Sequence, residues 1–143
     1  MVIASFNCNS IRARIEVLKR WLPMANPDVV ALQETKVEDK DFPAEDFQSL
    51  GYEIAFKGEK SYNGVAILSK YKFDDVFYGF DGKGADEGSR LLAVQIKKLH
   101  IVNTYIPQGF DPQSEKFQYK LQWFSRLRTF FESRYKKSDK LIW

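Results

Sequence analysis

The chain has 143 residues, of which 44% are hydrophobic and 15% aromatic. This length and composition predict one globular domain with its own core and exclude a disordered chain. No apolar run approaches the roughly 20 residues that a membrane-spanning helix needs, and the N-terminus lacks the pattern of a signal peptide. A single cysteine excludes an internal disulfide, so we expect a reducing, cytoplasmic setting.

The charge is small in total but uneven along the chain. The net charge is +3, yet residues 115–140 hold eight Lys or Arg against three Asp or Glu. Residues 38–46 are acidic by contrast. A basic flank of this kind is typical of proteins that bind polyanions such as nucleic acid, although a solvated helix face gives the same pattern.

The first third of the chain predicts a β-α-β unit. Residues 1–7 form a weakly alternating strand, and Ser10 can cap a helix that runs from 11 to about 24. Asn26 and Pro27 end that helix, and the apolar run 29–33 has the pattern of a strand buried on both faces. Such units place the two strands side by side and parallel, with a right-handed crossover.

The rest of the chain is richer in strands. Pro43 can begin a short helix that ends near residue 50, and residues 81–89 have the glycine and charge content of a loop. Further strands are predicted at 52–57, 64–69, 72–80, 91–97, 100–106 and from 141, with a long helix from 113 to about 136. We therefore expect an α/β fold with one mixed sheet, parallel at its start and hairpin-rich later, and helices on one face.

Polar side chains stand where several of these strands begin or end. Asn7 closes the first strand and Glu34 the second, so parallel pairing would place them at one sheet edge. Arg90 and Tyr105 flank later strands. An amide, a carboxylate, a guanidinium and a phenol would suit Mg²⁺ and a phosphate. Each residue also has an ordinary explanation as a cap, a strand end or a surface charge, and the residues alone leave both explanations open.

Five segments, in order and spacing, carry a resemblance to a known family. They read FNCNSIRAR, LQETK, YNGVAILS, EGSRLL and NTYIPQG. Together they resemble the exonuclease III family of apurinic/apyrimidinic endonucleases, within the wider endonuclease/exonuclease/phosphatase superfamily. The resemblance implies a DNase I-like four-layer α/β-sandwich, of which we expect this chain to form half. It also implies a DNA repair nuclease that uses Mg²⁺, or Mn²⁺ in its place, on double-stranded DNA with abasic sites or 3′ ends.

The resemblance also implies roles for individual residues. Glu34 and Asn7 correspond to the metal site, and both, together with Tyr105, to the catalytic residues. The positions that match DNA-backbone contacts are Arg12, Ala13, Tyr62, Asn63, Gly64 and Arg90. His100 and Cys8 match no catalytic position, and we expect both to be structural.

The sequence also departs from the family pattern. The family's GDxN and SDH motifs do not occur in it, so we expect residues 1–143 to be the N-terminal half of the domain and inactive alone. On that basis the inward faces of strands 64–69, 91–97 and 100–106 would lack a partner sheet. The missing half, or self-association through the exposed face, would then cover them. Two alternatives remain at this point: a superfamily phosphatase or phosphodiesterase that acts on phospholipid or inositol phosphates, and a non-catalytic DNA-binding half-domain.

Overall fold

The computed structural model describes residues 1–143, which form eight strands and three α-helices joined by short loops. The strands are β1 (Ile3–Asn7), β2 (Val29–Gln33), β3 (Glu53–Lys57), β4 (Val65–Ser69), β5 (Asp75–Tyr78), β6 (Leu91–Ile96), β7 (Leu99–Thr104) and β8 (Lys140–Ile142). The helices are α1 (Ile11–Ala25), α2 (Ala44–Gln48) and α3 (Glu115–Arg134). Every predicted element is present, with ends that differ by a few residues.

Serine caps set the first residue of both long helices. Ser10 Oγ accepts a hydrogen bond from the Ala13 N–H, and Ser114 Oγ accepts one from the Phe117 N–H. Both bonds satisfy a helix-end donor that has no partner within the helix. Helix α1 ends at Asn26, whose left-handed φ of 50° turns the chain into β2.

The strands form two sheets, not the single mixed sheet that the sequence predicted. The first sheet has the order β1-β2-β4-β3 and the second the order β5-β6-β7-β8. Strands β1 and β2 are parallel, with Asn7 opposite Gln33, as the β-α-β unit predicted. The prediction of one sheet was wrong because the connection after β4 does not turn back as a hairpin. Its Tyr71 and Phe73 instead pack on the core between the sheets and lead β5 into the second sheet.

The two sheets lie between helical layers. Helices α1 and α2 cover the outer face of the first sheet, through Leu18, Leu22 and Phe47. Helix α3 covers the outer face of the second, through Trp123 and Leu127. The α/β class is therefore confirmed, and all four layers are present in this chain, where we expected only half of them. The helices nevertheless lie on both outer faces, where the sequence predicted one, because the second sheet has its own amphipathic helix.

The inward faces of the sheets pack against each other. Val65 and Ile67 of β4 meet Leu92 and Val94 of β6, and all four are at most 2% exposed. The prediction of a bare sheet face was thus wrong, because this chain supplies both sheets. Self-association through that face has no surface on which to act.

One side of the sandwich remains open. Strands β1 and β8 are edge strands of their sheets, and a cleft of about 530 Å³ lies between them. Its apolar lining includes Ile3, Ile101 and Trp143. Apolar side chains therefore line a groove beside two strand edges, which are both free for main-chain pairing. No helix is long and apolar enough to cross a membrane.

Candidate functional site

Glu34 follows β2 directly, at the edge where β1 also ends. Its backbone is left-handed, with φ of 55°. The segment after β1 runs alongside Glu34 and Thr35 and donates a main-chain hydrogen bond to each. Ser10 N–H donates to the Glu34 oxygen, and Ile11 N–H donates to the Thr35 oxygen. The start of α1 is thus bonded to the residues around Glu34, which fixes both relative to the sheet.

The Glu34 carboxylate has a donor on each oxygen. Asn7 Nδ2 donates to Oε1 at 2.6 Å, and Lys36 Nζ lies 2.9 Å from Oε2. The Asn7 hydrogen bond, followed by Lys36, lowers the pKa of Glu34 below its ordinary value. The Glu34 side chain is 18% exposed, so an ionised carboxylate stands at the surface end of the sheet. The predicted neighbourhood of Asn7 and Glu34 is confirmed.

Tyr105 reaches the same place from the second sheet. Burial, and then the Glu34 charge, raise the pKa of the Tyr105 phenol, so it remains protonated at neutral pH. The Arg90 guanidinium lies 5.0 Å from the Tyr105 ring centre and donates to the Tyr105 main-chain oxygen at 3.1 Å. Glu87 lies beside Arg90, at 3.7 Å, and accepts a hydrogen bond from Tyr119 of α3. Arg90 is therefore held beneath Tyr105.

The positions matched to DNA contacts fall into two groups. Arg12 and Ala13 are exposed on the first turn of α1, although the Ala13 N–H already donates to Ser10. Tyr62 is 71% exposed, and Asn63 beside it has a left-handed φ of 47°. Gly64 is buried, and its N–H donates to the Ser89 oxygen at 2.8 Å. Arg12 and Tyr62 can thus reach a ligand, whereas the Gly64 N–H is already engaged.

Gly64 has a close-packing role. It has φ of 93°, and a Cβ added there would lie 2.0 Å from Thr35 Oγ1. No side chain fits at that distance, so glycine allows the loop before β4 to approach the segment after β2. Lys36 N–H donates to the Asn63 oxygen across the same junction, which brings Tyr62 and Asn63 beside the Glu34 cluster.

Sequence reasoning missed three contributors to this site, which are Lys36, Gln33 and Asn103. Lys36 pairs with Glu34, and its Nζ also donates to Asn9 Oδ1. Gln33 donates to Asn103 of the second sheet. The spacing of Lys36 two residues after a carboxylate at a strand end was a usable signal. Nothing in the local sequence marks the bond between Gln33 and Asn103, because it joins residues 70 positions apart.

His100 lies outside this cluster, and Cys8 contacts only its main chain, where Sγ donates to the Gln33 and Glu34 oxygens. Cys8 is buried, and burial raises the pKa of its thiol to about 11. A thiol with that pKa is a poor nucleophile at neutral pH. His100 lies within β7, paired with Gln95, and its ring packs on Tyr135.

The side chains at this site supply only some of the ligands that a hard cation needs. The chain has no group of three His, Cys, Asp or Glu residues placed to hold a metal. Glu34 is ionised, and Asn7 turns its amide nitrogen toward it while its Oδ1 accepts from the Asn9 N–H. Mg²⁺ accepts sites with one carboxylate when water and phosphate complete its shell. The residues therefore fit an open cation site to which Glu34 would contribute its carboxylate, with Asn7 holding that carboxylate in place.

The two-sheet α/β-sandwich thus carries a carboxylate, an amide and a phenol at one end of its strands. The chain belongs to the Endonuclease/Exonuclease/phosphatase family, whose model matches residues 4–143. The resemblance to exonuclease III-type proteins, found from the five segments, is confirmed by the relatives below.

Three of the similar proteins illustrate this. Exodeoxyribonuclease III of Haemophilus influenzae is 33% identical over 99% of this chain and 55% of its own length. The structure of an AP endonuclease from Archaeoglobus fulgidus superposes with a TM-score of 0.93 at 44% identity, over 100% of this chain and 56% of that one. A 3′ phosphatase from Neisseria, bound to product DNA hairpin, has a TM-score of 0.86 at 34% identity, over 93% and 52% of the two chains. The chain thus spans about half the length of the relatives it matches.

Proposed function

We propose that this chain carries the Glu34 half of the active site of a Mg²⁺-dependent DNA repair nuclease of exonuclease III type, which cuts beside abasic sites and removes nucleotides from 3′ ends. The observation that carries the proposal is the ionised Glu34, hydrogen-bonded to Asn7 and paired with Lys36, at the end of β2. The structures of an AP endonuclease and of a DNA-bound 3′ phosphatase among its relatives support DNA as the substrate. The single cysteine supports a cytoplasmic setting.

The residues of the chain supply binding and orientation. Lys36, paired with Glu34, and Arg90, stacked on Tyr105, provide positive charge near the place where a phosphate would lie. The protonated Tyr105 phenol can donate a hydrogen bond to a phosphate oxygen. Arg12 and Tyr62 extend the contact along the DNA backbone, which suits an enzyme that acts in any sequence. When bound, Mg²⁺ would polarise the scissile phosphate.

A metal-binding measurement tests the proposal without requiring turnover. We expect the chain to bind Mn²⁺, detected by electron paramagnetic resonance and displaced by Mg²⁺, and we expect Glu34→Ala to abolish that binding. Glu16→Ala is the matched control, because Glu16 is an exposed glutamate on α1. Equal Mn²⁺ affinity in the wild type and Glu34→Ala would contradict the proposed role of Glu34.

Substrate assays separate the two alternatives. With Mg²⁺, hydrolysis of an inositol phosphate and none of an abasic-site duplex would favour the phosphatase or phosphodiesterase. Tight duplex binding that needs no Mg²⁺, with no cleavage, would favour the DNA-binding half-domain. We expect slow or no cleavage by this chain alone, because it has no group of three His, Cys, Asp or Glu side chains placed to hold a metal.

We further propose that the cleft between β1 and β8 receives polypeptide that pairs with both strands, as the second half of the family domain would. The open edges, the apolar lining and the greater length of the relatives support this occupant. If another copy occupies the cleft instead, sedimentation velocity should show concentration-dependent association. Ser5→Lys, within the lining, should abolish it, whereas Met24→Lys on the end of α1 should not. A monomer at every concentration would exclude self-association.

A further inference from the structure

A buried amide joins the two sheets just below the candidate site. Asn103 of β7 is 3% exposed. Its Nδ2 donates across the interface to the Leu32 oxygen at 2.8 Å and to the Ala66 oxygen at 3.0 Å, on β2 and β4 of the first sheet. Its Oδ1 accepts from Gln33 Nε2 at 2.7 Å. One side chain thus makes three hydrogen bonds to the opposite sheet.

These bonds lie next to the residues of the site. Leu32 and Gln33 immediately precede Glu34, and Asn103 lies two residues before Tyr105. Gln33 Nε2 also lies 3.2 Å from Ser5 Oγ of β1, the strand that ends in Asn7. The amide pair therefore connects β1, β2 and β4 of the first sheet to β7 of the second, close to the strand ends that carry Asn7, Glu34 and Tyr105.

The packed core between the sheets cannot fix this geometry as well. It consists of apolar contacts such as those of Val65, Ile67, Leu92 and Val94, which are non-directional. The main-chain bond from Gly64 to Ser89 joins the loops before β4 and β6, not the ends of β2 and β7 that carry Glu34 and Tyr105. Hydrogen bonds constrain both distance and angle, and weaken steeply when either changes. A buried amide with no partner would also cost free energy, which disfavours any register that separates the sheets at this point.

We propose that Asn103, with Gln33, is a positioning residue that fixes the register of the two sheets and so sets where Tyr105 stands relative to Glu34. The proposal rests on the proposed function for its catalytic meaning, since Glu34 and Tyr105 belong to that site. The structural part of the proposal, that Asn103 and Gln33 hold the two sheets together at the strand ends, does not depend on the proposed function.

The test measures the positions of the sheets directly. Spin labels on Arg14→Cys of α1 and Gln118→Cys of α3 report on the two outer layers, because both positions are exposed near the start of their helices. Cys8→Ser supplies the background. Asn103→Leu retains the side-chain volume but cannot form the hydrogen bonds. We expect it to broaden or shift the distribution of distances between the two spin labels, measured by pulsed electron paramagnetic resonance. Val102→Ala is the matched control, because Val102 is equally buried but faces α3, and it should leave the distribution unchanged.

A second variant and a second readout complete the test. Gln33→Met removes one of the three bonds from a half-buried position, so it is expected to fold and to broaden the distribution less. Mn²⁺ affinity should fall about tenfold in Asn103→Leu, as for residues that orient metal ligands, and remain unchanged in Val102→Ala. Unchanged distances in Asn103→Leu, or in Gln33→Met if the former does not fold, would overturn the proposal. Absence of Mn²⁺ binding in the wild type would instead refute the proposed function and leave the distance result valid.

Discussion

Removal of the Asn7 amide should destabilise the protein in a pH-dependent way. Asn7→Ala deletes a 2.6 Å hydrogen bond to a carboxylate. Hydrogen bonds to charged groups contribute about 1.5–3 kcal/mol. Glu34 retains Lys36 and is partly open to water, so we expect a loss at the lower end, about 1.5 kcal/mol at pH 7. For a chain of this length that lowers Tm by about 4–6 °C.

The pKa of Glu34 gives the sign of the pH effect. Because the folded pKa lies below the ordinary value of 4.5, the ionised carboxylate stabilises the fold fully above that pH. This contribution is lost as the pH falls through the folded pKa. The difference in unfolding free energy between the wild type and Asn7→Ala should therefore shrink between pH 7 and pH 3, from about 1.5 kcal/mol toward about 0.5 kcal/mol, the lower end of the range for an uncharged hydrogen bond.

Urea unfolding at both pH values measures this difference. Glu34→Gln provides the control, since it retains an acceptor oxygen without a charge. In that background Asn7→Ala should cost the same at pH 7 and pH 3. A wild-type difference that does not change with pH would refute the argument that Asn7 stabilises the ionised form of Glu34.

Two further predictions concern the first turn of α1. Ser10 has φ of 87°, which glycine adopts without strain. Such strain costs about 1–3 kcal/mol, whereas replacing a serine cap by glycine costs only a few tenths of a kcal/mol. Ser10→Gly should therefore raise Tm, and Ser10→Ala, which keeps the strain and loses the cap, should lower it. A lower Tm for the glycine variant would contradict this. Arg12→Ala should weaken binding to all duplexes alike and reduce the slope of log K against log salt by about 0.9, as measured by fluorescence anisotropy. A loss that depends on base sequence would indicate base contacts instead.

The sequence predicted the elements of this fold well, because their signals are local. Ser10 and Asn26 mark the ends of α1, and the apolar run of β2 has one plausible structure. The division into two sheets was missed because the connection between β4 and β5 is short enough for a hairpin. Its direction depends on where Tyr71 and Phe73 find apolar partners, which is a property of the tertiary structure.

Only the part of the site that lies within the first sheet could be predicted from the sequence. Parallel pairing of β1 with β2 follows from the β-α-β unit and places Asn7 beside Glu34. The engagement of Arg90 beneath Tyr105 and the amide bonds of Asn103 were not predictable. They depend on how the second sheet lies over the first, which no periodicity in either segment encodes.

Each sheet is built from one continuous stretch of chain, with the first complete at Ser69 and the second beginning at Asp75. During synthesis the first sheet and its helices therefore emerge as a unit, with Val65 and Ile67 still uncovered. About 25 more residues must follow before Leu92 and Val94 can reach them, which takes about 1–5 s at ribosomal rates of 5–20 residues per second. A nascent chain stalled in that interval exposes an apolar sheet face, so codon-level pauses between Ser69 and Val94 should increase chaperone binding and aggregation more than pauses elsewhere.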